Sequence, residues 1–123
     1  MNHDVQDAPA QAEAEYFHVV RFRYGGPDEL FREWGDWLDH VHIPAVLAVP
    51  GMRSFTRYGQ LGSDRDFLTV WSLDGPHVFE EPAYVAARGW GPWEEHMEYW
   101  TICLLQHARE PRRFGAVPPG APL

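Results

Sequence analysis

The sequence predicts an α+β fold, a four-stranded antiparallel sheet with two helical regions covering one of its faces. Three observations carry this. Segments 16–23, 52–59, 66–73 and 99–107 are rich in β-branched and aromatic residues and read as strands. Helical patterns opened by proline follow the first and third of them. Glycine- and proline-rich turns separate the elements. At 123 residues the chain is one domain.

Residues 1–14 are polar and without period, which predicts a disordered tail before a domain spanning 15–108. In the first strand, YFHVVRFR, Tyr16, His18, Val20 and Phe22 share one face and Phe17, Val19, Arg21 and Arg23 the other. Pro27 then suits a first helical position, and Asp28 and Glu29 complement the helix dipole. Leu30, Trp34, Trp37, Leu38, Val41 and Ala45 form an apolar stripe at helical spacing. Pro44 removes a donor and crowds the carbonyl of His40, so the helix is expected to kink or end at 41–43. A short helical piece at 45–49 precedes the Pro50-Gly51 turn. The strands at 52–59 and 66–73 form a hairpin, and 77–88 fits a second helix divided by Pro82. One further turn at 93–98 leads to the last strand. From Arg109 the chain has four prolines in fifteen residues and is read as an extended arm, 109–123.

The order β-α-β-β-α-β with right-handed crossovers is the ferredoxin-like arrangement. All four strands are at least partly apolar on both faces, and two helices can cover only one. A homodimer with its sheets face to face would cover the other.

Composition narrows the partners. The formal net charge of −8 repels phosphate backbones, so nucleic acid is not expected, nor is an anionic membrane surface. The longest uncharged run, 41–52, is too short to span a bilayer. The acidic N-terminus lacks the pattern of a signal peptide, which predicts a cytoplasmic protein. The single cysteine, Cys103, excludes an intrachain disulfide and sits among apolar residues, where burial is expected. No phosphate-cradling glycine loop and no nucleophilic serine motif is present.

His42 is the leading candidate for chemistry. Beside the Pro44 break it can point between helix and sheet, and imidazole moves protons near neutral pH. Asp39, three residues earlier, is placed to orient its ring. The alternative is a structural histidine that caps carbonyls freed by Pro44. His40 lies about 200° from His42 around a helix, so the two do not share a pocket, and solvent exposure is expected for His40. Glu94, Glu95, His96 and Glu98 read as a solvated acidic turn, although His96 could face inward. No ligand spacing supports a metal, and none is expected. Six Trp, seven Phe and five Tyr supply either core or a pocket for flat organic ligands. Trp34, Trp37, Trp71, Trp90, Trp93 and Trp100 are placed by their elements to surround the helix–sheet space or a dimer face. An inward arginine, Arg57 among them, could bind an oxyanion.

The segment at 37–58, WLDHVHIPAVLAVPGMRSFTRY, resembles a pattern of the dimeric α+β barrel superfamily, W-Y-D/E-E-V-H-I-P-D-V-L-A-V-P-G-F-x-S-A-R-R-Y. Trp37, Asp39, Val41 to Pro44, Val46 to Gly51, Ser54, Arg57 and Tyr58 match; His40 and Ala45 depart from it. That superfamily includes EthD-like, muconolactone isomerase-like and cofactor-independent monooxygenase-like proteins. The resemblance implies a homodimer of ferredoxin-like subunits and a small-molecule substrate, aromatic, lactone or polyketide-like. It implies an isomerase, lyase or monooxygenase that needs no cofactor. In that reading His42 removes a proton, Tyr58 or an arginine such as Arg57 stabilises the charge, and Trp34, Trp37, Trp71, Trp90, Trp93 and His96 hold the substrate. A carrier without catalysis, or a haem protein ligated through histidine, are the alternatives the same resemblance leaves open.

Overall fold

The computed structural model describes residues 16–106. The predicted tail at 1–14 and the proline-rich arm at 109–123 lie outside the described residues. Strand β1 (Tyr16–Tyr24) has hydrogen-bonded neighbours on both sides, β3 (Asp66–Leu73) and β4 (Met97–Gln106). Strand β2 (Met52–Gly59) pairs with β3, which gives the antiparallel order β2-β3-β1-β4. This is the predicted ferredoxin-like sheet. The helical layer consists of α1 (Phe31–Trp37), a wide π turn (Leu38–His42), α2 (Ile43–Leu47) and α3 (Pro82–Ala87). Short 3-10 segments at Asp28–Leu30, Pro76–Glu80 and Gly91–His96 flank them. Among the described residues no helix is long and apolar enough to cross a membrane.

Alternation along the strands decides what each face of the sheet carries. His18, Val20, Phe22 and Tyr24 of β1 are buried under the helices, next to Thr69, Trp71 and Leu73 of β3. Phe22 and Tyr24 meet Trp34 of α1 at ring-centroid distances of 6.1 and 5.0 Å. Burial of several aromatic rings in one cluster is the main stabilising contribution here, since each removes roughly 150–250 Å² from water. Among the described residues nothing covers the opposite face. Val19 sits between Val70 and Cys103, Phe17 beside Leu105, and Arg21 between Leu68 and Thr101. Cys103 is exposed there, against the expected burial, because β4 is an edge strand and nothing among the described residues packs on this face.

The helical layer departs from regular periodicity at one place. The amide of Ile43 donates to the carbonyl of Leu38, a five-residue step. One residue is thereby inserted into the phase of the helix, so Val41, expected in the apolar stripe, is 55% exposed, while Leu38, Ile43 and Val46 are buried. The second helical region is divided at Pro82 as predicted, with only 82–87 forming α-helix.

Gly51 ends the α2 turn with a φ of +91°, and a Cβ there would approach Cγ2 of Val78 to 2.6 Å. Gly51→Ala is expected to destabilise the protein by at least about 1–2 kcal/mol from backbone conformation alone. Urea unfolding tests this, and an unchanged midpoint would contradict the tight turn.

Candidate functional site

A cavity lies between the sheet and the helices, with an inner volume of about 90 Å³, or about 610 Å³ counting its open mouth. Its floor is the helix-facing side of the sheet: His18, Val20 and Phe22 of β1, and Thr69 and Trp71 of β3. Leu38, His42, Ile43 and Val46 form one wall, and Tyr84, Arg88, Gly89 and Trp90 the other. Trp100 and Ile102 of β4 complete the lining and are 39% and 58% exposed. Arg88 is exposed as well, so the mouth opens along the β4 edge.

His42 reaches this space because the π turn rotates it inward. Its ring stacks on two indoles, Trp37 at 5.1 Å and Trp90 at 5.9 Å between centroids. Burial lowers its pKa below the ordinary 6.5, and the backbone carbonyl of Ala87, which accepts from the ring, offsets this in part. A neutral imidazole that donates through one nitrogen presents a lone pair at the other. His18 is also buried, 7% exposed, and its pKa too is lowered by desolvation. Tyr84 stays a neutral phenol, because burial raises its pKa and the nearby Arg88 charge opposes this only in part. The indole N–H of Trp71 donates to Thr69 Oγ1 at 3.2 Å, which fixes that ring in the floor.

No family model and no curated protein matches the chain in sequence. Solved structures do match its fold. SnoaB, a cofactor-independent oxygenase from Streptomyces nogalater, superposes with a TM-score of 0.57 at 15% identity, covering 80% of this chain and 96% of its own. A dimeric ferredoxin-like protein of unknown function from Thermobifida fusca gives 0.55 at 17% identity, over 75% and 90%. An ethyl tert-butyl ether D (EthD) family protein from Bacillus halodurans gives 0.57 at 10% identity, over 76% and 99%. The chain has a ferredoxin-like fold. Identities this low carry the fold and nothing finer.

Within this ferredoxin-like fold the predicted site residues separate. His42, Trp71 and Trp90 line the cavity, and Trp37 backs the His42 ring. Trp34 is 2% exposed and belongs to the aromatic core. Asp39 does not orient His42; its carboxylate accepts from Arg57 at 2.7 Å, and neither residue lines the cavity. Tyr58 is 54% exposed and lies on the uncovered face of the sheet. Trp93 and His96 line a separate outer groove with Trp37 and His40. Among the described residues no group of three or more histidine, cysteine or acidic side chains converges on a point.

Sequence reasoning missed His18, Thr69, Tyr84 and Arg88. The alternation of β1 already set His18 on one face with Val20 and Phe22, opposite Arg21 and Arg23. Reading the arginine-bearing face as the one away from the helices would have brought His18 into the site.

The histidine shifts have a consequence for stability. Above pH 6.5 both rings are neutral, folded or unfolded; below it the unfolded chain binds protons that the folded rings resist. Stability should therefore fall from pH 7.5 to 5.5, by at most about 1.4 kcal/mol per pH unit for each histidine. Asp66 adds no loss in this window, since bonds from Ser63, Tyr99 and Arg23 hold its pKa at about 2. Urea midpoints at the two pH values test this, and a constant midpoint would contradict neutral burial.

Proposed function

We propose that the protein is a small-molecule enzyme in which His42 transfers a proton on an aromatic, lactone or polyketide-like substrate, one ring of which enters the cavity. The observation that carries this is the His42 ring, neutral and indole-flanked at the wall of an apolar cavity, with one nitrogen turned to Ala87. A base in such a place takes a proton from a substrate O–H or C–H and leaves the electron pair on the substrate oxygen. Returning the proton to another atom of the same molecule completes an isomerisation without a co-reactant. The stacked indoles favour the transient imidazolium, which limits the penalty of forming a charge in a dry site.

Charge on the substrate oxygen falls to Tyr84 and Arg88 in this proposal, because they line the cavity where Tyr58 and Arg57 do not. Trp71 and Trp90 hold the substrate ring. Oxygenation is the second enzymatic reading, and the likeness to the SnoaB oxygenase favours keeping it. Proton removal is common to both.

A panel of phenols and lactones tests the reading. His42→Ala should lower turnover at least about 100-fold, the usual contribution of a positioned general base. Turnover unaffected by His42→Ala sinks the mechanism. Oxygen uptake in step with turnover selects the oxygenase, and tight binding without turnover by the wild type selects a carrier.

A homodimer formed through the uncovered sheet face is part of the proposal. Phe17, Val19, Leu68, Val70, Cys103 and Leu105 make that face apolar, and an apolar face of this kind calls for a partner. The Thermobifida fusca protein of the same fold is described as dimeric. Sedimentation at micromolar concentration should give twice the 14.2 kDa chain mass, and Val70→Asp should shift it to the monomer. A wild-type monomer would refute it.

A further inference from the structure

We propose that His18 is a second working imidazole of the cavity, a fixed Nε2–H donor that holds the substrate oxygen while His42 moves the proton. This rests on the reading of the cavity as the site for an oxygen-bearing aromatic or lactone. The observation behind it is an orphaned atom. Nδ1 of His18 is sealed from solvent and has no hydrogen-bond partner. A donor or acceptor stranded in such a place costs about 1–3 kcal/mol, and a neutral ring avoids stranding its N–H by carrying the proton on the nitrogen that can still reach a partner. A neutral imidazole carries one N–H, so the proton belongs on the other nitrogen, Nε2.

Two features direct that nitrogen to the ligand. His18 lines the same cavity as His42, and with Nδ1 sealed the nitrogen left to meet a ligand there is Nε2. The ring is also held in place: Phe79 meets it edge to face at 5.0 Å, and Trp71 is its register partner on β3. Burial keeps the ring neutral, so it donates a hydrogen bond and transfers no proton. The two histidines thereby take opposite parts. His42 gives its N–H to the protein and turns a lone pair to the cavity; His18 buries its lone pair and turns its N–H there. A ligand with adjacent acidic hydrogen and oxygen acceptor, such as a phenol or an enolisable lactone, matches both.

The test uses the wild-type protein with 15N-labelled histidine and 4-nitrophenol as the probe. Two-bond 1H–15N spectra at pH 7.5 should show His18 as the Nε2–H tautomer, and 4-nitrophenol should shift that nitrogen. An Nδ1–H tautomer or an imidazolium overturns the proposal. So does a probe that shifts His42 and leaves His18 unmoved, which would spare the reading of the cavity. A probe that moves neither ring removes that reading and the donor role with it. In variants, His18→Leu should weaken 4-nitrophenol binding about tenfold, the ordinary effect of losing a hydrogen bond to a charged oxygen. His18→Gln, whose amide N–H reaches the position of Nε2, should restore most of the affinity; equal affinity in wild type and His18→Leu overturns the donor role.

Discussion

Pro44 has no amide hydrogen, and its ring stands where a regular helix would leave room for the carbonyl of His40. The chain meets this with a π turn at Leu38–His42, in which Ile43 bonds back to Leu38. Widening the turn by one residue changes which side chains face the sheet. Leu38, Ile43 and Val46 pack down, Val41 moves out to solvent, and His42 comes to the cavity wall. Neither the cavity nor its wall histidine would have this form in an uninterrupted helix. Single π turns of this sort recur at functional sites, where they trade helix regularity for the direction of one side chain.

The surroundings of His42 then set its chemistry. Two indoles stack on the ring, at 5.1 and 5.9 Å between centroids. Desolvation holds it neutral, and Ala87 takes one nitrogen, so the remaining nitrogen is the reactive one. Thr69 and Trp71 form a rigid floor opposite, through the bond from the indole N–H. The site is positioned by strands and packed rings, with its polar groups few and individually directed.

Much of this fold was legible from the sequence. Alternation in YFHVVRFR, the hairpin at 52–73 and the proline-opened helices predicted the sheet and its order. Strand ends moved by two residues at most, as at Met97 in β4. The site was less legible, for reasons that lie in packing. Helical spacing placed Asp39 near His42, but Arg57 captured its carboxylate across the gap between the π turn and β2. Tyr58 and Arg57 are adjacent on β2, so the pleat sends them to opposite faces, and which face is covered depends on contacts made far along the chain. His18 needed the same information. A periodic pattern shows that faces differ; it does not say which one lies under the helices.

His42 fills the proposed role only as a neutral, half-buried base with one free nitrogen. The most direct measurement is its own titration, followed by NMR at the ring carbon-bound hydrogen in the folded protein. The midpoint is expected below 6.5, the ordinary histidine value. A midpoint at or above 6.5 would mean a solvated or charge-paired ring, and would contradict the cavity base on which the proposed function stands.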